Sequence, residues 1–551
     1  MKRSLYCGLL GLTLLTSACE KEYLDRLPLD ALVDETFWEN EDQLRLAANG
    51  CYAYLKAKNT VDMENLGDNT LWPSVTDYQR IGSGNYGNDL GGINSEWASA
   101  YDGIRRCNAF LANYQRAQVA DPARKEALAA EVRVIRAYLY SYLAAFFGDV
   151  QLVTTPLEIN DPAVYGPRAP RAEVADFMLK ELDEAAANLP AAIPTGTNLG
   201  RISKGAALAL KARVALQEGR YAVAETAAKA VMDLGVYQLY TTGGPTNCYR
   251  NLFTYAGKMS GGNNRETILA RTHLADISMH NLSREIQVPD QNARWNPTKA
   301  LVDSYLCTDG LPISQSPLYR DNNYAAVFLN RDPRLMQTIL QPGATWGGRF
   351  DGNPTNTNPA VYTAPKFRSD RRGSVTITGY YFTKYVEVST VGQVSRDAND
   401  IHLIRLAEVL LTYAEARFEQ GKLTQADVDL TINRLRQRVG MRNMVLAELA
   451  TRGQDVRTEI RRERRVELAL EGQRYFDLLR WQQGSLLAED VKGIKAAWAY
   501  APADVAGLPT DANGFIIAYR GRTFAAGRNY LWPIPLVQLE RNPKLGQNPG
   551  W

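Results

Sequence analysis

The stretch 460–481, IRRERRVELALEGQRYFDLLRW, constrains this chain more than any other. It holds no Pro and a single Gly, Gly472, and most of its residues are strong helix formers. Val466, Leu468, Ala469, Leu470, Tyr475, Leu478, Leu479 and Trp481 cover too much of a helical wheel for a surface helix. A helix that is apolar on more than one side packs in an interior. Glu463, Glu467 and Glu471 recur at i, i+4 among Arg461, Arg462, Arg464, Arg465 and Arg474. Buried charges need partners. The stretch therefore predicts one central helix whose ions pair with one another.

The first residues predict export. Lys2 and Arg3 open a short apolar run, and Thr16-Ser17-Ala18 supplies small residues before a cut. The run is too short to span a bilayer. Residues 1–18 are read as a signal peptide, and Cys19, directly after the cut, is a candidate lipidation site. No later stretch is long and apolar enough for a membrane span, so anchoring rests on acyl chains at Cys19. Export permits disulfides. Cys51, Cys107, Cys248 and Cys307 allow three pairings, and buried free thiols fit the sequence equally well.

Helical periodicity returns again and again in the mature chain. Helices are predicted at 36–58, from Trp97 onward, and at 123–147, 171–189, 203–217 and 221–234. Ala206, Ala209, Ala212, Ala224, Ala227 and Ala228 sit where two of these meet closely, around the turn Glu218-Gly219-Arg220. ALKARVALQEGRYAVAETAAKAVM resembles a tetratricopeptide unit. A similar pair recurs, with Leu403, Leu406, Ala407, Leu410 and Ala414 on one helix and Val428, Ile432, Leu435 and Val439 on the next. Such units cannot bury their faces alone and therefore stack. The predicted fold is mainly α: about four helix pairs form a curved scaffold over 36–239 and 400–484. A loop-rich subdomain with a few short strands, including 267–272 and 373–385, occupies 240–400, and an extended tail runs over 485–551. No linker or low-complexity tract divides 19–551, which reads as one composite unit.

Several segments resemble one family. RRERRVELALEGQRYFDLLRW closely resembles the C-terminal signature of SusD/RagB proteins. RAYLYSYLAAFFGDVQLV, SYLCTDGLPI, NRDPRL and the closing NPKLGQNPGW resemble segments of the same family. The resemblance implies an outer-membrane lipoprotein that captures a nutrient, usually an oligosaccharide, for a SusC-like TonB-dependent transporter. Glu20-Lys21-Glu22 resembles the acidic tag that sends such lipoproteins to the cell surface.

The residues themselves give little catalytic chemistry. The net charge of +3 makes no electrostatic case for nucleic acid. The three histidines, His273, His280 and His402, show no metal-binding spacing, and neither a metal nor a cofactor is predicted. A glycan-degrading enzyme is the alternative reading. It needs two carboxylates facing each other across a glycosidic bond. Glu463 and Glu467 have Cβ atoms about 5–6 Å apart, but arginines crowd both and would hold them ionised. What remains is aromatic binding surface. Residues 67–92 are rich in Gly, Asn and Asp, which predicts irregular loops that often carry function. Within them Trp72, Asp77, Tyr78, Arg80, Asn85 and Tyr86 mix stacking rings with groups that bond hydroxyls. Trp295 and Trp346 add rings from the irregular middle. Trp97, Trp481 and Trp532 lie in periodic or motif contexts and are read as core.

Overall fold

Seven alanines and five aromatic residues give the segment from Pro122 to Phe147 both helix propensity and bulk, and it forms the longest helix among the described residues. The structure is a computed structural model that describes residues 37–287, 294–346, 360–367 and 376–551. Cys19, the leader and the side chain of Trp346 lie outside what is described. The main helices are α1 (Glu41–Tyr52), α2 (Gly91–Asn113), α3 (Pro122–Phe147), α4 (Arg171–Asn188), α5 (Lys204–Gln217), α6 (Tyr221–Asp233), α7 (Leu406–Glu419), α8 (Val456–Glu467) and α9 (Arg474–Arg480). From α2 to α6 each helix packs on the next; α6 then packs on α7, and α7 on α8. This is the stacking expected of tetratricopeptide-like units. All six alanines named above are buried where α5 and α6 meet their neighbours.

The strands are short and come in pairs. β1 (Thr70–Leu71) pairs antiparallel with β3 (Asn296–Pro297), and β2 (Thr267–Arg271) pairs antiparallel with β4 (Ile401–Arg405). Two cores result. The first fills the helical stack and includes Trp97, Phe146 and Trp532. The second lies under the loop-rich middle and includes Trp295, Tyr305, Tyr324, Tyr362 and Phe382. Cys51, Cys107, Cys248 and Cys307 are buried free thiols.

Several predicted elements are redrawn. The helix predicted at 36–58 is shorter at both ends, Glu41–Tyr52, and starts where Asn40 and Gln43 form a reciprocal capping box. Leu403 belongs to strand β4 rather than to the helix that follows. The helix predicted around Val428–Val439 is broken at Thr431, giving Gln425–Leu430 and Ile432–Arg438. Within 376–385 the chain forms turns and one isolated bridge, Ile339 to Phe382, instead of a strand.

The largest correction falls on 460–481, which is not one helix. α8 ends at Glu467, and α9 starts at Arg474. Between them Leu470 (φ 65°) and Gly472 (φ 70°) adopt left-handed backbone. Gly472 has no substitute here: a Cβ would lie 2.3 Å from the carbonyl oxygen of Thr60. Its N–H donates to Glu64 Oε2 at 3.0 Å, so a distant buried carboxylate holds the turn.

The carboxylates also find other partners than the sequence suggested. Glu467 accepts from Arg405 Nη1 (2.7 Å), Arg438 Nη2 (2.7 Å) and Arg334 Nη1 (2.9 Å). Glu463 accepts from Arg334 Nη1 (2.6 Å) and Arg436 Nε (2.8 Å). Glu471 accepts from Arg405 Nε and from Lys384 Nζ, each at 2.7 Å. None of these cations lies in the stretch itself. Burial alone would raise the Glu467 carboxyl, but Arg438, Arg405 and Arg334 outweigh it and hold it well below the usual range. Glu467 has no solvent exposure, so Glu467→Leu strands three guanidiniums in the interior. The substitution is expected to cost about 3–5 kcal/mol, read as a lower denaturant midpoint. An unchanged midpoint would show that the network is dispensable for folding.

Candidate functional site

The β1–β3 ribbon places Trp72 and Trp295 at one end, because the register Thr70 to Pro297 and Leu71 to Asn296 makes them the next facing pair. Pro73 disfavours helix at Trp72, which suits this extended exit. The two indoles meet edge to face, with centroids 5.3 Å apart and planes at 82°. Trp295 is completely buried in the second core. It is a support, not an exposed binding ring, which corrects the expectation drawn from its irregular sequence context. Trp72 is half-buried and packs against that core from outside.

Charged groups surround the pair. The guanidinium of Arg294 lies 5.2 Å from the Trp72 ring centroid, a cation–π distance. Arg294 pairs with Glu285 at 2.8 Å, and Glu285 accepts from Lys58 Nζ at 2.8 Å. Lys58 Nζ sits 5.0 Å from the Trp295 centroid and 3.3 Å from Asp62. Burial raises the Asp62 carboxyl, against the pull of Lys58. The site is therefore a supported indole with a basic rim. It can offer a ring face and guanidinium donors to a polyhydroxylated ligand, while the buried Glu285, with both oxygens in ion pairs to Arg294 and Lys58, holds Arg294 in place.

The other predicted residues divide. The stretch 67–92 is less irregular than expected, since Thr76 caps a short helix, Asp77–Gly82. Asp77 Oδ2 accepts from the N–H of Gly92 at 2.7 Å, pinning that helix to the start of α2. The Tyr78 hydroxyl donates to Glu96, which also pairs with Lys56 at 2.8 Å. Burial, then the Glu96 charge, pushes the Tyr78 phenol well up. Arg80 and Asn85 are exposed. Tyr86 packs on the Trp551 ring at 4.7 Å, and its hydroxyl accepts from Asn529 Nδ2 at 3.4 Å. The structure thus brings Trp72 and Trp295 together and sends Tyr86 to the C-terminal segment. Thr345–Trp346 pairs with Ala360–Val361 as a short ribbon. Sequence reasoning missed Arg294, Glu285 and Lys58. Arg294 had one signal, its place beside Trp295; the other two had none.

The three histidines all serve the fold. His402 bridges Thr267 Oγ1 and the Leu252 carbonyl, His280 Nε2 meets the Asn399 carbonyl at 2.9 Å, and His273 Nδ1 meets the Ser278 carbonyl at 3.1 Å. Among the described residues, no three His, Cys, Asp or Glu side chains are grouped to hold a metal ion. No described helix is long and apolar enough to cross a membrane.

Comparison with known proteins identifies the class. The SusD family profile matches residues 270–551, more than half of the chain, and the chain belongs to that family. A second profile, described as starch-binding associating with outer membrane, matches residues 22–216. SusD-like protein P2 of Formosa agariphila is 24% identical, covering 96% of this chain and 96% of its own. A SusD-like protein of Bacteroides ovatus is 22% identical over 85% of this chain and 80% of its own. A crystal structure of a SusD-like carbohydrate binding protein from Bacteroides fragilis has a TM-score of 0.79 at 28% identity, covering 93% of this chain and 100% of that one. A laminarin binding SusD-like protein shares the fold at a TM-score of 0.63 and 22% identity, covering 93% of this chain and 100% of its own.

The supporting role of Trp295 is testable. Trp295→Ala removes a fully buried indole and is expected to cost about 3–5 kcal/mol, measured by chemical denaturation. A cost below about 1 kcal/mol would mean that the site under Trp72 is not packed as described.

Proposed function

We propose that this protein is a cell-surface lipoprotein that binds an oligosaccharide and passes it to a SusC-like TonB-dependent outer-membrane transporter, without chemically altering it. The observation that carries the binding reading is the Trp72 platform: a half-buried indole supported edge-on by Trp295 and flanked by Arg294, which the buried Glu285 holds in place. Sugars present apolar C–H faces and hydroxyl rims. An aromatic ring suits the face, and a guanidinium suits the rim. Arg80 and Asn85, both exposed, are further candidates on the stretch that carries Trp72. Family membership supports the reading, as do relatives named for carbohydrate and laminarin binding. The transporter partner and the hand-over rest on the resemblance to SusD/RagB proteins. We assign 1–18 as a signal peptide and 19–551 as one unit, anchored in the outer membrane by lipid on Cys19.

The alternative, a glycan-degrading enzyme, loses its leading carboxylate pair. Glu463 and Glu467 are buried and each is held by two or more guanidiniums. A general acid must hold a proton to give, and Glu467 is kept ionised.

Two measurements test the proposal. Trp72→Ala is expected to weaken oligosaccharide binding about thirtyfold, the loss of about 2 kcal/mol typical of a binding hot spot. Calorimetric titration with a ligand found on a glycan array reads this, with melting temperature as the folding control. Unchanged affinity would remove Trp72 from the site, and turnover of the bound glycan would replace the binding reading with the enzymatic one. Cys19→Ala is expected to move the protein from the membrane fraction to the soluble fraction. A variant that stays membrane-bound, with no labelled palmitate on the parent protein, would refute the lipid anchor.

A further inference from the structure

A pocket of about 180 Å³ opens where α8, α9 and the end of the Lys299–Ser304 helix meet. Four arginines line it: Arg461, Arg462 and Arg465 from α8, and Arg474 from the start of α9. The hydroxyl of Thr458 and the carboxamide of Gln483 complete its polar wall. Among the described residues no carboxylate lines it, although the Thr458 hydroxyl donates to Asp455 Oδ2 at 2.7 Å just outside.

The charges around it do not balance. Arg465 and Arg474 share one carboxylate, Asp68, at 3.1 Å and 2.7 Å. Arg462 has Glu459 at 3.2 Å. Arg461 has no carboxylate within ion-pair distance among the described residues and lies 4.7 Å from the Trp481 ring centroid. Four guanidiniums therefore have two carboxylates within ion-pair distance, while Glu64, Glu415 and Glu419 act only from further off. Donors are left over as well. Arg461 Nε is buried without an acceptor, and Arg465 Nη2, although near Asp68, lies outside hydrogen-bond geometry. Burial pushes Arg465 down to about 10, with Asp68 opposing and Arg474 adding to the shift. Burial also lowers Arg461, against the more distant pull of Glu415 and Glu419. An isolated buried charge is costly unless it is paired. Guanidiniums converging from two helices match the oxygens of a tetrahedral anion.

We propose that this pocket binds a doubly charged tetrahedral oxyanion, sulfate or phosphate, free or as an ester on a larger ligand. Its floor is tied to the stretch that carries Trp72: Arg465 Nε donates to Asn69 Oδ1 at 2.8 Å, and Arg474 holds Asp68. An anion here would order the arginines that fix residues 68–69, three to four positions before the indole. The proposal stands on its own geometry and does not need the oligosaccharide reading.

The test uses the mature protein, the variants R461Q and R461Q/R462Q, and three probes: sodium sulfate, a sulfated galactan tetrasaccharide and its desulfated form. Titrations run at constant ionic strength, because exposed charges are screened by salt. Sulfate also stabilises proteins by exclusion from their surfaces, an effect that the variants retain and that does not saturate. The expected result is saturable sulfate binding that weakens about tenfold or more in R461Q, while Trp72→Ala leaves it unchanged. Tighter binding of the sulfated than the desulfated tetrasaccharide, lost in R461Q/R462Q, assigns the site to an ester. Equal binding of the two sugars alongside saturable sulfate binding assigns it to the free anion. No saturable sulfate binding, or R461Q of unchanged melting temperature binding as the parent does, overturns the proposal.

Discussion

The carboxylate of Glu467 is the point on which the two cores depend. It receives Arg405 from the end of β4, Arg438 from the Ile432–Arg438 helix, and Arg334 from the loop-rich middle. Arg405 in turn reaches Glu266 before β2 and Glu471 in the α8–α9 turn. One carboxylate thus joins the helical stack to the region laid over it. Such a network does not maximise stability, since well-packed hydrophobic residues often do as well. Its value lies in direction. A guanidinium is a rigid fork, so each arm accepts one arrangement of chain segments, while apolar surfaces tolerate several.

The same network explains why the stretch around it was legible in composition but not in shape. Every residue from 460 to 481 except Gly472 suits a helix, and local propensity gives no reason to stop at Glu467. The reasons lie far along the chain. Glu64 takes the Gly472 N–H, and Thr60 occupies the space a side chain would need. Lys384 and Arg405 draw Glu471 to their own positions. The longer helices were readable because burial on one face repeats with helical period, a signal within a single segment. The 376–385 run failed as a strand because aromatic residues suit any buried surface, and Tyr380, Tyr381, Phe382 and Tyr385 fill the second core from turns.

The site shows the same divide. Trp72 was readable because Pro73 and the Gly, Asn and Asp around it argue against helix. That Trp295 lies beneath it was not, because the pairing is between distant segments: the bond from Thr70 Oγ1 to the Asn296 carbonyl in the same ribbon crosses 226 residues. A ring in an irregular sequence is as easily a buried support as an exposed face. Only the ribbon decides between them here. Asp77 and Tyr78 had the right chemistry for hydroxyls but spend it internally, on Gly92 and Glu96.

Taken together, the arginines of the signature stretch serve two purposes. Arg464 turns inward and bonds Asp477 through Nε at 2.8 Å, a pairing that joins α8 to α9. Arg461, Arg462 and Arg465 sit on the other side of α8, where carboxylates are fewer than guanidiniums. Arginine that serves the fold is given acceptors, either carboxylates or, as at Arg331 and Arg522, backbone carbonyls, because an unpaired buried charge lowers stability. The inward side meets that rule, with Glu463, Glu467 and Glu471 all multiply paired. The outward side breaks it within one turn of the same helix. Departures of this kind from local consistency concentrate where a protein meets something outside itself. On that argument the unbalanced face of α8 is a place prepared for a charge that the chain does not supply.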